Sequence, residues 1–240
     1  MGRGVTTVAG GGAGAAPAAV EFDGAPESST LYIFFGGMAA GIAMPPFEFY
    51  RAARIVRDNK MFLRDFAQCW YHAGLSGYSR DLSSTEAYLR RRVDELGAER
   101  VVFVGNSMGG YAAMLFAARL GFGEVVAFAP QTFVSPRLRL RHRDRRWPRQ
   151  IARLWWRGLF REKAWDLRPL LAQSGGKVRV SVFVSPDDRL DLLHARHIQD
   201  LPGVTVHMVA GGGHDLVRVL RDDGSLPGIM LGVHGGDRPA

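Results

Sequence analysis

Cysteine is nearly absent from this chain: its 240 residues include only Cys69, so no disulfide can form within it. That excludes the cross-linked frameworks of small secreted domains and fits a reducing cytoplasm, with Cys69 as a small packed residue. Long apolar runs are missing too. None approaches the ~18 residues a membrane-spanning helix needs, and the Gly- and Ala-rich stretch from Met1 to Pro17 lacks the apolar centre of a secretory signal. Residues 1–17 read as a disordered leader, and residues 18–240 as a single domain. The chain carries no internal repeat, which excludes a solenoid or a propeller.

Positive charge is in excess but confined. Between Pro136 and Arg168 stand eleven Arg and one Lys against Asp144, Glu162 and Asp166, a local charge of +9 in a chain whose total is +8. The remainder is close to neutral. Basicity restricted to one segment, with no reading module beside it, argues against a nucleic-acid partner.

Alternation of buried strands and helices dominates the rest. Runs rich in β-branched and aromatic residues at Leu31 to Phe35, Met61 to Asp65, Val101 to Val104, Glu124 to Ala129, Val178 to Val184 and Val204 to Ala210 read as strands, with an edge strand at Val20 to Asp23. Helical stretches fall between them. Phe47 to Val56 follows Pro45 and Pro46; Ser83-Ser84-Thr85-Glu86 is a capping-box pattern opening a helix that Gly97 closes; Ala112 to Ala118 ends at Gly121; Leu190 to Gln199 and Asp215 to Arg221 come last. This order predicts an α/β fold, a mainly parallel central sheet with helices on both faces, and ligands at the carboxyl ends of the strands.

The chemistry concentrates at one of those ends. Val101-Val102-Phe103-Val104-Gly105-Asn106-Ser107-Met108-Gly109-Gly110 reads as strand, G-x-S-x-G turn and helix start, the pattern of a nucleophile elbow. Glycines flank the serine because the turn is tight and brings strand and helix into contact. A serine hydroxyl needs a base, and His214 is the histidine that directly follows a strand, behind Gly211-Gly212-Gly213. His207 lies within that strand, His194 and His197 lie on a helix, and His72, His142 and His234 lack such a position. A carboxylate must hold the imidazole, and Ser185-Pro186-Asp187-Asp188-Arg189-Leu190-Asp191 supplies three at a strand end between serine and histidine. Asp188 is the first choice, with Asp191 and Asp187 as alternatives, since turn geometry decides which faces inward. For an oxyanion hole, the backbone N–H of Met108 is one donor and that of Gly37 or Met38, after the strand ending at Phe35, is the other.

In the order Ser107, Asp188, His214, these residues resemble the α/β-hydrolase superfamily over roughly Leu31 to Val233, apart from the basic insert. One departure is Phe35-Gly36 where many members carry His-Gly before the oxyanion loop. The resemblance implies a serine hydrolase, esterase- or thioesterase-like, that cleaves an acyl bond of a small molecule or a carrier-bound acyl group through an acyl-serine, with no cofactor and no metal. The runner-up keeps the fold but makes or breaks a carbon–carbon bond in a bulky aromatic metabolite, with His214 as acid–base catalyst. A binding module on the same scaffold is a third reading.

The 48 residues between the strands ending at Ala129 and starting at Val178 exceed an ordinary connection. The resemblance makes the part at about 136–168 a lid. Trp147, Ile151, Leu154, Trp155 and Leu159 recur at helical spacing beside a stripe of Arg149, Arg153, Arg157 and Arg161, which predicts a basic amphipathic helix. Its arginines form a solvated face or meet an anionic substrate or phosphopantetheine-bearing acidic carrier, and Trp147, Trp155, Arg149 and Arg153 are the candidate substrate contacts. Membrane attachment through this helix is the weaker alternative, and its aromatics suit a contact between copies of the chain as well as a substrate wall. Arg64, Asp65, Trp70, Tyr71 and His72 crowd another loop near a strand end, where they could line the pocket, without an assignable role.

Overall fold

The computed structural model describes residues 18–38, 49–158 and 163–232. The leader, the start of the helix expected from Phe47, Leu159 and Arg161 of the basic stripe, and His234 lie outside the described residues. Seven strands form one sheet: β1 (Val20–Asp23), β2 (Thr30–Phe35), β3 (Asn59–Leu63), β4 (Arg100–Asn106), β5 (Glu124–Phe128), β6 (Arg179–Val184) and β7 (Val204–Met208). Their spatial order is β1-β3-β2-β4-β5-β6-β7, with β1 antiparallel to β3 and every other pair parallel.

Strand alternation divides the core into two layers. Leu31, Ile33 and Phe35 of β2 and Val101 and Phe103 of β4 face one side, where they join Tyr111, Met114, Leu115 and Phe116. Those last four belong to α2 (Met108–Leu120), which packs beside α1 (Leu82–Leu96) and α5 (Leu167–Gln173). Tyr32, Phe34, Val102, Val104, Val126 and Phe128 face the other side, covered by α7 (Leu216–Asp222) and α8 (Leu226–Met230) through Leu216, Leu220, Leu226 and Met230. The connection from β5 to β6 holds α3 (Pro136–His142), α4 (Pro148–Gly158) and α5, and α6 (Arg189–Arg196) follows β6. No helix among the described residues is long and apolar enough to cross a membrane.

Three local expectations are corrected. The helix expected over Phe47 to Val56 is, in its described part, a single 3-10 turn at Ala52–Ile55, because Val56 is already extended and β3 begins at Asn59. The start of α1 is set by Asp81, whose carboxylate accepts from the Ser84 N–H while Ser84 Oγ accepts from the Asp81 N–H. Glu86, expected to complete the box, pairs instead with Arg119 and Arg90. Asp65 is not on β3. Its buried carboxylate accepts from the N–H groups of Ala67, Cys69 and Tyr71 at 2.9, 2.7 and 2.9 Å, and so holds a loop in which Gln68, Trp70 and Tyr71 have left-handed φ of 49°, 54° and 62°.

Candidate active site

β4 delivers Ser107 through a turn that no ordinary geometry would allow. Ser107 has φ 53° and ψ −114°, and its N–H donates to the Phe128 carbonyl at 2.9 Å, which ties the turn to the end of β5. A Cβ on Gly105 would lie 2.2 Å from the Gly109 carbonyl, and one on Gly109 would lie 2.2 Å from the Phe35 carbonyl oxygen. Glycine at both positions therefore lets β4, α2 and the end of β2 touch backbone to backbone. The same contact brings the first turn of α2, with Met108 at its start, against the Phe35–Gly36 peptide that leads to Gly37 and Met38. That peptide is pinned, because the Gly36 N–H donates to Leu63 O at 2.9 Å and the Tyr71 hydroxyl lies 3.1 Å from both the Gly36 and Leu63 carbonyl oxygens.

Beyond β7, Gly211, Gly212 and Gly213 run at φ 82°, 79° and 51° and turn the chain back over the strand ends. His214 follows, and its Nε2 stands 3.1 Å from Ser107 Oγ. Its Nδ1 stands 2.8 Å from Asp191 Oδ2. A carboxylate can only accept, so Nδ1 carries the proton and Nε2 is left to accept from the serine hydroxyl. The hydrogen bond to Asp191 raises the His214 pKa above its ordinary value, against the opposing effect of burial.

Asp188, the first choice of acid, is displaced from that position. Its Oδ1 accepts from the N–H groups of Leu190 and Asp191 at 2.8 and 2.9 Å, so it caps the N-terminus of α6. Asp191 sits in the first turn of that helix, fully buried and aimed at the histidine. Asp187 is exposed and bonds with Ser185. Ligand atoms of Asp188, Asp191 and His214 lie within 4.8 Å of one another, close enough to hold a cation. Each of the three, however, already has an atom committed to the helix cap or to the Ser107–His214–Asp191 chain.

Two residues in the site carry no motif in the sequence. Gln131 follows β5, and its Nε2 donates to Ser107 Oγ at 2.9 Å while its Oε1 accepts from the Trp70 indole N–H at 3.1 Å. An indole nitrogen is only a donor, so Trp70 fixes which end of the amide faces the serine. Ser107 Oγ therefore accepts from Gln131 and has its own proton free for His214. The second residue is Arg146, whose Nη1 donates to Asp191 Oδ1 at 2.7 Å. Proximity to Pro130 and the strand end was the available signal for Gln131; nothing local distinguished Arg146 from its ten neighbouring arginines.

The remaining candidates are placed as follows. Trp155 packs against the core and donates its indole N–H to the Val134 carbonyl at 2.9 Å, and Arg153 donates to the Ala67 carbonyl at 2.9 Å. Both contacts tie α4 to the body of the protein. Trp147 is half-buried against the same core, and Arg149 is exposed. His207 stacks on Phe183 with ring centroids 4.5 Å apart, and burial pushes the Cys69 thiol up to about 12. His72 is buried, with Nδ1 3.2 and 3.0 Å from the carbonyl oxygens of Cys69 and Trp70.

No family model and no curated protein matches the sequence. Solved structures do match its fold. The capsule O-acetyltransferase of Neisseria meningitidis serogroup A superimposes with a TM-score of 0.66 at 11% identity, over 89% of this chain and 91% of that one. A variant of that enzyme in complex with CoA gives 0.61 at 12% identity, over 88% of this chain and 91% of that one. MenH from S. aureus gives 0.56 at 13% identity, covering 89% and 96%. Est816, described as an N-acyl homoserine lactone degrading enzyme, gives 0.58 at 14% identity, covering 90% and 96%. With the sheet order and the elbow, these likenesses establish the α/β-hydrolase fold for this chain.

Proposed function

We propose that this protein is a serine acyl hydrolase or acyltransferase, with Ser107 as nucleophile, His214 as general base and Asp191 as the acid that orients it. The observation that carries the reading is the continuous chain Ser107 Oγ–His214 Nε2 at 3.1 Å and His214 Nδ1–Asp191 Oδ2 at 2.8 Å. In the first half-reaction Ser107 Oγ attacks the acyl carbon and its proton passes to His214 Nε2. The bond to the leaving alcohol or thiol then breaks, and His214 returns that proton to the leaving atom. Water, or an acceptor hydroxyl, attacks the acyl-serine with His214 again as base. The Met108 N–H and that of Gly37 or Met38 are the proposed donors to the oxyanion, a type of contact worth ~10²- to 10³-fold in rate.

Ester and thioester substrates suit this machinery, and the solved structures of similar fold include both an O-acetyltransferase and a lactone-degrading enzyme. The test is turnover of short-chain activated esters and of acetyl-CoA, with and without an added alcohol acceptor. Wild type should show a burst of one leaving group per chain followed by a slower steady state, and Ser107→Ala and His214→Ala should show neither. Full turnover in Ser107→Ala would sink the proposal.

A further inference from the structure

Arg146 lies in the arginine-rich segment between β5 and β6, yet it is directed inward. Its guanidinium donates to Asp191 Oδ1 at 2.7 Å through Nη1 and to Asp144 through Nε and Nη2 at 3.3 and 3.4 Å. Asp191 spends one oxygen on this contact and the other on His214, so its carboxylate cannot rotate without losing a partner. We propose that Arg146 is the positioning residue through which this segment sets the orientation of Asp191, and with it the charge that His214 meets during turnover. This rests on the assignment of Ser107, His214 and Asp191 made above.

The anchor behind Arg146 is rigid. Asp144 is fully buried at its side chain and also accepts from Arg139 Nη1 at 3.2 Å, with His194 Nε2 at 3.3 Å. The Thr132 N–H donates to His194 Nδ1 at 3.1 Å, which leaves the His194 proton on Nε2, toward Asp144. Burial keeps His194 neutral, lowering its pKa to about 4. Asp144, on which Arg146 rests, is thus held by Arg139 of α3 on one side and, through His194, by the start of the loop after β5 on the other. Two arginines stand against two carboxylates in this cluster, so Asp191 is not an isolated negative charge. A lysine could not replace the planar fork, which reaches both carboxylates at once.

The charged groups that face His214 are Asp191 and Asp188 at the start of α6 and Arg146 from the segment between β5 and β6. With Arg146 gone, the imidazole would face two carboxylates and no cation, and its protonated form would be favoured. The experiment is the rate at which a fluorophosphonate reacts with Ser107 as a function of pH. Wild type is compared with Arg146→Lys, Arg146→Met, and Arg146→Met combined with Asp144→Asn. The double variant guards against unfolding, because it removes the carboxylate that would otherwise be buried with its main partner missing.

Both methionine variants should move the acid limb of the profile upward by about one pH unit. Arg146→Lys should keep the limb in place and react about tenfold more slowly at every pH, having kept the charge but lost the fork. An unmoved limb in a folded methionine variant would overturn the proposal, leaving Arg146 a structural ion pair. Titration of His214 by NMR reads the same shift without turnover. If wild-type Ser107 fails to react at all, the proposed function fails, and the His214 titration still decides the role of Arg146.

Discussion

Exchange of Asp191 for asparagine isolates the orienting carboxylate with almost no change of shape. The asparagine carbonyl would still accept from Arg146, in place of the carboxylate oxygen now 2.7 Å from it. Its NH₂ would then face His214 Nδ1, where the carboxylate now stands at 2.8 Å. A donor there forces Nδ1 to accept, so the proton moves to Nε2 and the imidazole presents an N–H to Ser107. The serine then has no base. Loss of the correct tautomer in this type of triad costs about 10⁴-fold in turnover, or roughly 5 kcal/mol of transition-state stabilisation. Asp188→Asn should behave differently, since asparagine caps a helix as well as aspartate does, and Asp188→Ala should cost about 1 kcal/mol of stability with activity within a few-fold of wild type. Steady-state hydrolysis of an activated ester, paired with urea unfolding, separates the two residues. A large activity loss in Asp188→Asn, with Asp191→Asn still active, would refute the assignment.

The pH dependence has a definite sign. His214 accepts a proton only when neutral, and its pKa is raised above the ordinary 6.5 by Asp191, so activity should fall on acidification with a midpoint above that value. The His214–Asp191 pair's contribution to stability runs the opposite way, being fully present below the ordinary pKa and fading as pH rises through the raised one. Gln131→Glu should lower Ser107 reactivity by about tenfold and also lower stability as pH rises, because a carboxylate buried here still accepts from Trp70 but has no cation beside it among the described residues and, once ionised, cannot donate to the serine. Equal reactivity in that variant would remove Gln131 from the site. Gly109→Ala should cost about 3 kcal/mol or more in thermal or urea unfolding, since the new methyl would meet backbone rather than a side chain that can swing away. A variant as stable as wild type would show that the strand–helix contact is looser than described.

Much of this was legible from residue pattern. The elbow was readable because its physical demands, a buried strand, glycine on both sides of the serine and a good helix after it, all fall within a dozen consecutive residues. His214 was readable for a similar reason, as three glycines in a row behind a strand leave few conformations but a reversal. The choice among Asp187, Asp188 and Asp191 was not. Any of them could cap α6, and the one that does so is turned away from His214 by that hydrogen bond, a competition that pattern alone leaves undecided. Gln131, marked only by its place after a strand end, and Arg146, marked by nothing local, were hard to read for a different reason. Each acts across long sequence separations, Gln131 toward Trp70 and Ser107, Arg146 toward Asp191, and their neighbourhoods in the chain carry no periodic signal. The spacing of the basic segment shows a helix whose arginines form a solvated face or meet an anionic substrate, and it carries no signal for the contact of Arg153 with the loop carbonyl of Ala67.

The central claim is an activated serine at position 107. Its most direct test is reaction of the purified protein with a fluorophosphonate, followed by peptide mass spectrometry of wild type, Ser107→Ala, His214→Ala and Asp191→Asn. The account predicts a single adduct on Ser107 in wild type, none in Ser107→Ala, and strongly slowed labelling in the other two. Labelling elsewhere, or an Asp191→Asn protein that reacts as fast as wild type, would contradict it.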